Sequence, residues 1–142
     1  MPVISHAQMG ATVRSAQQQA THLPESPCLV IVAIGGNDLL GPTTDVEFAE
    51  RLETLLKQVS RPNRTLLMLE LPLPPLRNEY GRIQRSLAQQ YRVVLVPKRV
   101  MASVLTGPEA TFDSIHLTTQ GHAAMAAAMR WYVERLIAKV ER

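Results

Sequence analysis

Cys28-Leu-Val-Ile-Val-Ala-Ile-Gly-Gly-Asn-Asp38 is the stretch that decides the fold. From Cys28 to Ile34 it is apolar without a break, the pattern of a strand covered on both faces, and such strands belong to parallel sheets flanked by helices. Gly35-Gly36-Asn37-Asp38 then stops the strand with a turn.

The neighbouring segments agree with that frame. Thr44 followed by Glu47 reads as a capping box, and the helix it opens carries Phe48, Leu52, Leu55, Leu56 and Val59 on one stripe. Thr65 to Leu69 predicts a second buried strand, and Leu71 to Pro75 is too proline-rich to continue it. A helix with Leu76, Tyr80, Ile83 and Leu87 on one face follows, then a short β-branched strand from Arg92 to Val96 closed by Pro97. Beyond a loop of small and turn residues, Thr118 or Thr119 caps a last helix with a stripe of Met125, Met129, Tyr132, Val133, Leu136 and Val140. Upstream of Cys28, Val3 to Ser5 is expected as a short strand, Ala11 to Ala20 as a helix and His22 to Pro27 as a loop. Strands alternating with helices predict an α/β domain with a mainly parallel sheet and helices on both faces.

Composition narrows the function classes. At 142 residues the chain makes one domain, and 46% hydrophobic against 19% charged residues excludes disorder. No apolar run is long enough to span a bilayer, and the Met1 end lacks the basic-then-apolar pattern of a signal peptide, which leaves localisation open. A single cysteine, Cys28, excludes an internal disulfide. The net charge of +3 is spread along the chain and aromatics are only 4%, so no nucleic-acid partner is expected.

In an open parallel sheet, functional groups gather at the carboxyl ends of the strands. Three segments fall there: Ser5 to Gly10, Gly35 to Asp38, and Asp113-Ser114-Ile115-His116. Asp113 and His116, three apart on a turn, can project to one side, so the carboxylate can fix the imidazole tautomer while His116 acts as a general base. The alternative is an acidic helix start beside an incidental histidine. Asn37 offers an amide N–H and Gly10 a backbone N–H to a developing oxyanion. Equally, both residues suit turns for conformational reasons alone. His6, His22 and His122 lack metal-ligand spacing, and no phosphate-cradling loop or Gly-x-Ser-x-Gly elbow is present.

Taken together, these segments resemble a known family. Val30-Ile-Val-Ala-Ile-Gly-Gly-Asn-Asp-Leu-Leu-Gly41 resembles the third block of SGNH (GDSL-type) hydrolases. Phe112-Asp-Ser-Ile-His-Leu-Thr-Thr-Gln-Gly-His-Ala-Ala-Met-Ala126 resembles their fifth block, and Val3-Ile-Ser-His-Ala-Gln-Met-Gly-Ala-Thr12 is similar to their second. The resemblance implies a three-layer α/β/α sandwich of flavodoxin-like type. It also implies hydrolysis of an acyl ester, with His116 as base, Asp113 as its orienter, and Gly10 with Asn37 as oxyanion donors. It implies no metal or organic cofactor, and a small-molecule acyl ester as the partner.

One departure stands out. The family's first block, a strand ending in Gly-Asp-Ser, supplies the nucleophile, and no Gly-Asp-Ser occurs here. Among the serines, Ser15, Ser26, Ser60, Ser86, Ser103 and Ser114 have the wrong place or context, which leaves Ser5 as the only internal candidate. Residues 1–142 are therefore expected to form a single SGNH-like domain that is N-terminally incomplete, lacks the family's first strand and is weakly active or inactive as it stands. The family's strand order implies that the missing strand lies between the one at Val3–Ser5 and the one at Leu29–Ile34. The open edge left there is expected to be closed by re-pairing of the first strand or by another chain adding a strand, as in a homodimer, or else to leave the fold marginally stable. Against the esterase stands a non-catalytic ligand-binding or assembly domain on the same fold, with a flavodoxin-like module sharing only the sheet as a more distant reading.

Overall fold

The computed structural model describes residues 2–26, 28–72, 74 and 78–140. The elements are α1 (Val13–Gln19, running into a 3-10 turn at Ala20–His22), β1 (Cys28–Val32), α2 (Gly36–Leu40), α3 (Asp45–Val59), β2 (Arg64–Leu69), α4 (Glu79–Gln90), β3 (Val94–Val96), α5 (Lys98–Leu105) and α6 (Thr119–Val140). The strands form one parallel sheet in the order β1-β2-β3, with Val30 opposite Leu66 and Met68 opposite Leu95.

The period-two alternation of β2 explains the layering. Leu66 and Met68 point to one face, where Val30, Val32 and the stripes of α1, α3 and α4 cover them. Leu67 and Leu69 point to the other, against Val96 and the α6 residues Met129 and Leu136. Phe48, Leu52, Leu55, Leu56 and Val59 are all buried, so the predicted α3 stripe is the principal helix contribution to the first face. Burying each such leucine contributes roughly 1.5–3 kcal/mol. The capping box is present: Thr44 Oγ1 accepts the Glu47 N–H at 3.2 Å, and Glu47 Oε2 accepts the Thr44 N–H at 2.9 Å. Thr118 Oγ1 accepts the Gly121 N–H at 3.0 Å at the start of α6. The chain is an α/β/α sandwich, as expected.

Three local expectations are corrected. Val3 to Ser5 is not a strand: among the described residues it pairs with nothing, and Val3 is 94% exposed. An apolar triplet becomes a strand only when a neighbouring ladder takes up its backbone groups. Ser5 thus ends no strand, and its Oγ accepts the Ala7 N–H at 3.4 Å. The segment after Pro97, expected as a loop, is helix α5, and the Gly35–Asp38 turn continues into the short helix α2. Leu76 and Pro75 lie outside the described residues.

The open edge expected at the long strand is observed. Among the described residues β1 pairs with β2 on one side only, and a groove of about 490 Å³ separates its other side from residues 2–7.

Candidate active site

The turn after β1 is built around Gly35, whose φ of +106° suits glycine. A Cβ there would stand 3.0 Å from Phe48 Cε2 and 3.1 Å from Leu71 Cδ1, so the chain passes directly over the core before entering α2. That placement puts two adjacent side chains to different uses. Asn37 is exposed and donates from Nδ2 to the Ala11 carbonyl at 2.9 Å. Asp38 is fully buried, and its Oδ2 accepts the Val13 N–H at 2.9 Å at the first turn of α1. Together they hold Ala11 to Val13, and with it Gly10, against the end of β1.

Gly10 has φ +72° and open space around it, and among the described residues nothing accepts from its N–H. A cleft of about 300 Å³ opens here, lined by Gln8, Ala11, Gly36, Asn37, Leu71 and Met101. Asn37 thus faces a cavity at the carboxyl end of the sheet, and among the described residues its second amide hydrogen is uncommitted.

Asp113 and His116 come together as expected. Asp113 Oδ2 lies 2.7 Å from His116 Nδ1, while Oδ1 accepts the backbone N–H of His116 at 2.8 Å and of Ile115 at 3.1 Å. Ser114 between them is left-handed, with φ +71°. These bonds to the ionised form, first the His116 N–H and then its ring, lower the Asp113 pKa from 3.8 to about 2. With Asp113 ionised, Nδ1 carries the hydrogen and Nε2 is the basic nitrogen of the neutral ring. The loop is closed by the Phe112 N–H to His116 O bond at 2.9 Å and the Thr118 N–H to Ala110 O bond at 3.0 Å. The dyad is exposed and does not line the cleft beside Asn37. Gly10 and Asn37 are thus held near one another, Asp113 and His116 are bonded to each other, and Ser5 lines the groove beside β1.

The pKa of Asp113 sets a pH window. A carboxyl that is more acidic when the turn is formed stabilises the turn above its ordinary pKa of 3.8 and loses that contribution as pH falls through about 2. The amide resonances of Ile115 and His116 are expected to stay native-like at pH 5 and to shift together in the acid range below 4.

Sequence reasoning singled out neither Asp38 nor the polar pair at the end of β2. Gln84, buried, accepts the Leu71 N–H with Oε1 at 2.9 Å and donates from Nε2 to Leu69 O at 3.1 Å, standing in for a missing strand neighbour. Glu70, also buried, accepts from Arg85 and from the Lys98 N–H at 2.9 Å, which caps α5.

Residues 2–124 match the model of the GDSL-like Lipase/Acylhydrolase family. The chain belongs to this family. Among solved structures it is similar to AlinE4, an SGNH-hydrolase family esterase, at 26% identity over 89% of this chain and 72% of that one, with a TM-score of 0.63. A second likeness, to the acetylxylan esterase Axe2 from Geobacillus stearothermophilus, is one of fold alone: 20% identity, 85% and 67% coverage, TM-score 0.68. Among curated proteins none matches. Membership of a lipase/acylhydrolase family and likeness to an esterase support a hydrolase function for this chain. No helix among the described residues is long and apolar enough to cross a membrane.

Proposed function

We propose that this GDSL-family domain hydrolyses small acyl esters by a Ser-His-Asp mechanism whose serine comes from outside the 142 residues. The observation that carries the reading is the 2.7 Å contact between Asp113 Oδ2 and His116 Nδ1, which leaves Nε2 as the proton acceptor. In this scheme the serine Oγ attacks the ester carbonyl as Nε2 takes its proton. Asn37 Nδ2 and the Gly10 N–H donate to the oxyanion, and the alkoxide departs with the proton from the imidazolium. Water then repeats the sequence on the acyl-enzyme and releases the acid. Asp113 keeps the ring in the donating tautomer at Nδ1 and stabilises the imidazolium.

The test is made on a form extended by a strand ending in Gly-Asp-Ser. Asn37→Ala is expected to lower kcat for p-nitrophenyl acetate on the order of 100-fold, the usual cost of one oxyanion donor. Unchanged kcat would remove Asn37 from the oxyanion site.

A second reading has one observation in its favour: these residues contain no Gly-Asp-Ser. A binding or assembly domain on the same fold would bind an acylated ligand without turning it over in any length of polypeptide.

A further inference from the structure

Asp38 is a carboxylate that the ester scheme leaves unused, and it is fully buried. Taking a carboxylate out of water is costly unless donors satisfy it, so its partners indicate what it does. Among the described residues it has two: Oδ2 accepts the Val13 N–H at 2.9 Å, and Oδ1 accepts from the Thr43 hydroxyl at 3.5 Å. Neither is a cation. The shorter bond reaches back 25 residues along the chain to the start of α1, a span that no local turn requires.

That bond ends on the segment that presents Gly10. The Ala11 N–H donates to Gln8 O at 3.3 Å, closing a turn with Gly10 at its third position and φ +72°. Such a turn holds its own shape but is fixed in place from outside. Asn37 Nδ2 donates to the Ala11 carbonyl at 2.9 Å, and Asp38 accepts the Val13 N–H. The two bonds grip consecutive peptide groups on either side of Thr12, and among the described residues no other hydrogen bond ties residues 8–13 to α2. The Asn37 bond is exposed, where water competes for both partners. The Asp38 bond is buried, so breaking it strands an oxygen and an N–H away from water. Of the two anchors, the buried one is the stiffer.

The geometry points to Asp38 as a positioning residue for the ester reaction: through the Val13 N–H it fixes where the Gly10 N–H stands against the oxygen that gains charge. This rests on the ester reading above, and Asp38 itself touches no reacting atom. An oxyanion donor is effective only when it is held in place beforehand, so a buried anchor three residues away is felt in the transition state rather than in ground-state binding.

Two substitutions separate the role from mere stability. Asp38→Asn keeps an oxygen for the Val13 N–H and turns its amide hydrogens to Thr43 Oγ1, while Asp38→Ala removes the acceptor. In the 142-residue chain, Asp38→Ala is expected to shift the Gly10 amide resonance and to speed Val13 amide exchange about tenfold or more, with Asp38→Asn close to the parent. In the extended form, assayed with p-nitrophenyl acetate well below each variant's melting temperature, Asp38→Ala is expected to lower kcat about tenfold with KM within about twofold. Asp38→Asn is expected to recover kcat to within about threefold of the parent. If Asp38→Ala does not fold, Asp38→Ser, whose hydroxyl sits one bond nearer the backbone, is read in its place. A residue serving stability alone would lower the melting temperature and leave kcat of the folded enzyme unchanged, and that result overturns the proposal. An unmoved Gly10 amide overturns it too, as does Asp38→Asn as slow as Asp38→Ala, which would assign the effect to charge. Loss in Asn37→Ala beside unchanged kcat in Asp38→Ala removes this role alone. Unchanged kcat in both removes the oxyanion assignment beneath it, and an extended form with no turnover at all overturns the ester reading and this role together.

Discussion

His116→Ala, in a form extended by a serine-bearing strand, is expected to lower kcat/KM for an activated ester by about 10⁴-fold or more. The loss is that large because, in the proposed scheme, the imidazole takes the serine proton in one step and returns it to the leaving group in the next. Its Nδ1 is occupied by Asp113 at 2.7 Å, so Nε2 is the only ring atom free for the task. The His116 side chain is 73% exposed, so its removal is expected to leave the thermal melt nearly unchanged, separating a chemical effect from a structural one. Retained activity would assign the base elsewhere.

Gly121→Ala is expected to destabilise the fold by about 3 kcal/mol, read as a lowered urea midpoint. A Cβ on Gly121 would stand 2.0 Å from the Ala110 carbonyl oxygen. That oxygen accepts the Thr118 N–H at 3.0 Å, so neither partner can move without opening the base of the loop that carries Asp113 and His116. The strain sits in backbone rather than in a flexible side chain, which makes it hard to relieve. A midpoint within error of the parent would show that α6 can withdraw from the loop freely.

The parts of the fold that were legible in the sequence are those whose causes are local. The unbroken run at β1, the Thr44–Glu47 cap and the α3 stripe each carry their whole signal within a few residues. The dyad was legible too, because Asp113 and His116 lie within one turn of backbone. What escaped was long-range. The N-terminus of α5 is capped by the Glu70 carboxylate through the Lys98 N–H, a partner too distant in sequence for local patterning to reveal. Asp38 looked like a turn residue, yet its carboxylate is buried against Val13, in another helix. Val3 to Ser5 erred the other way: its composition suits a strand, but among the described residues no ladder receives it.

Labelling with a fluorophosphonate, followed by mapping of the modified residue, tests most directly whether this domain holds the acid–base half of an ester-cleaving site. The account predicts no label on the 142-residue chain, label on the added serine in the extended form, and loss of that label in His116→Ala. Rapid labelling of the 142-residue chain at Ser5, or labelling of the extended form that ignores His116→Ala, would contradict it.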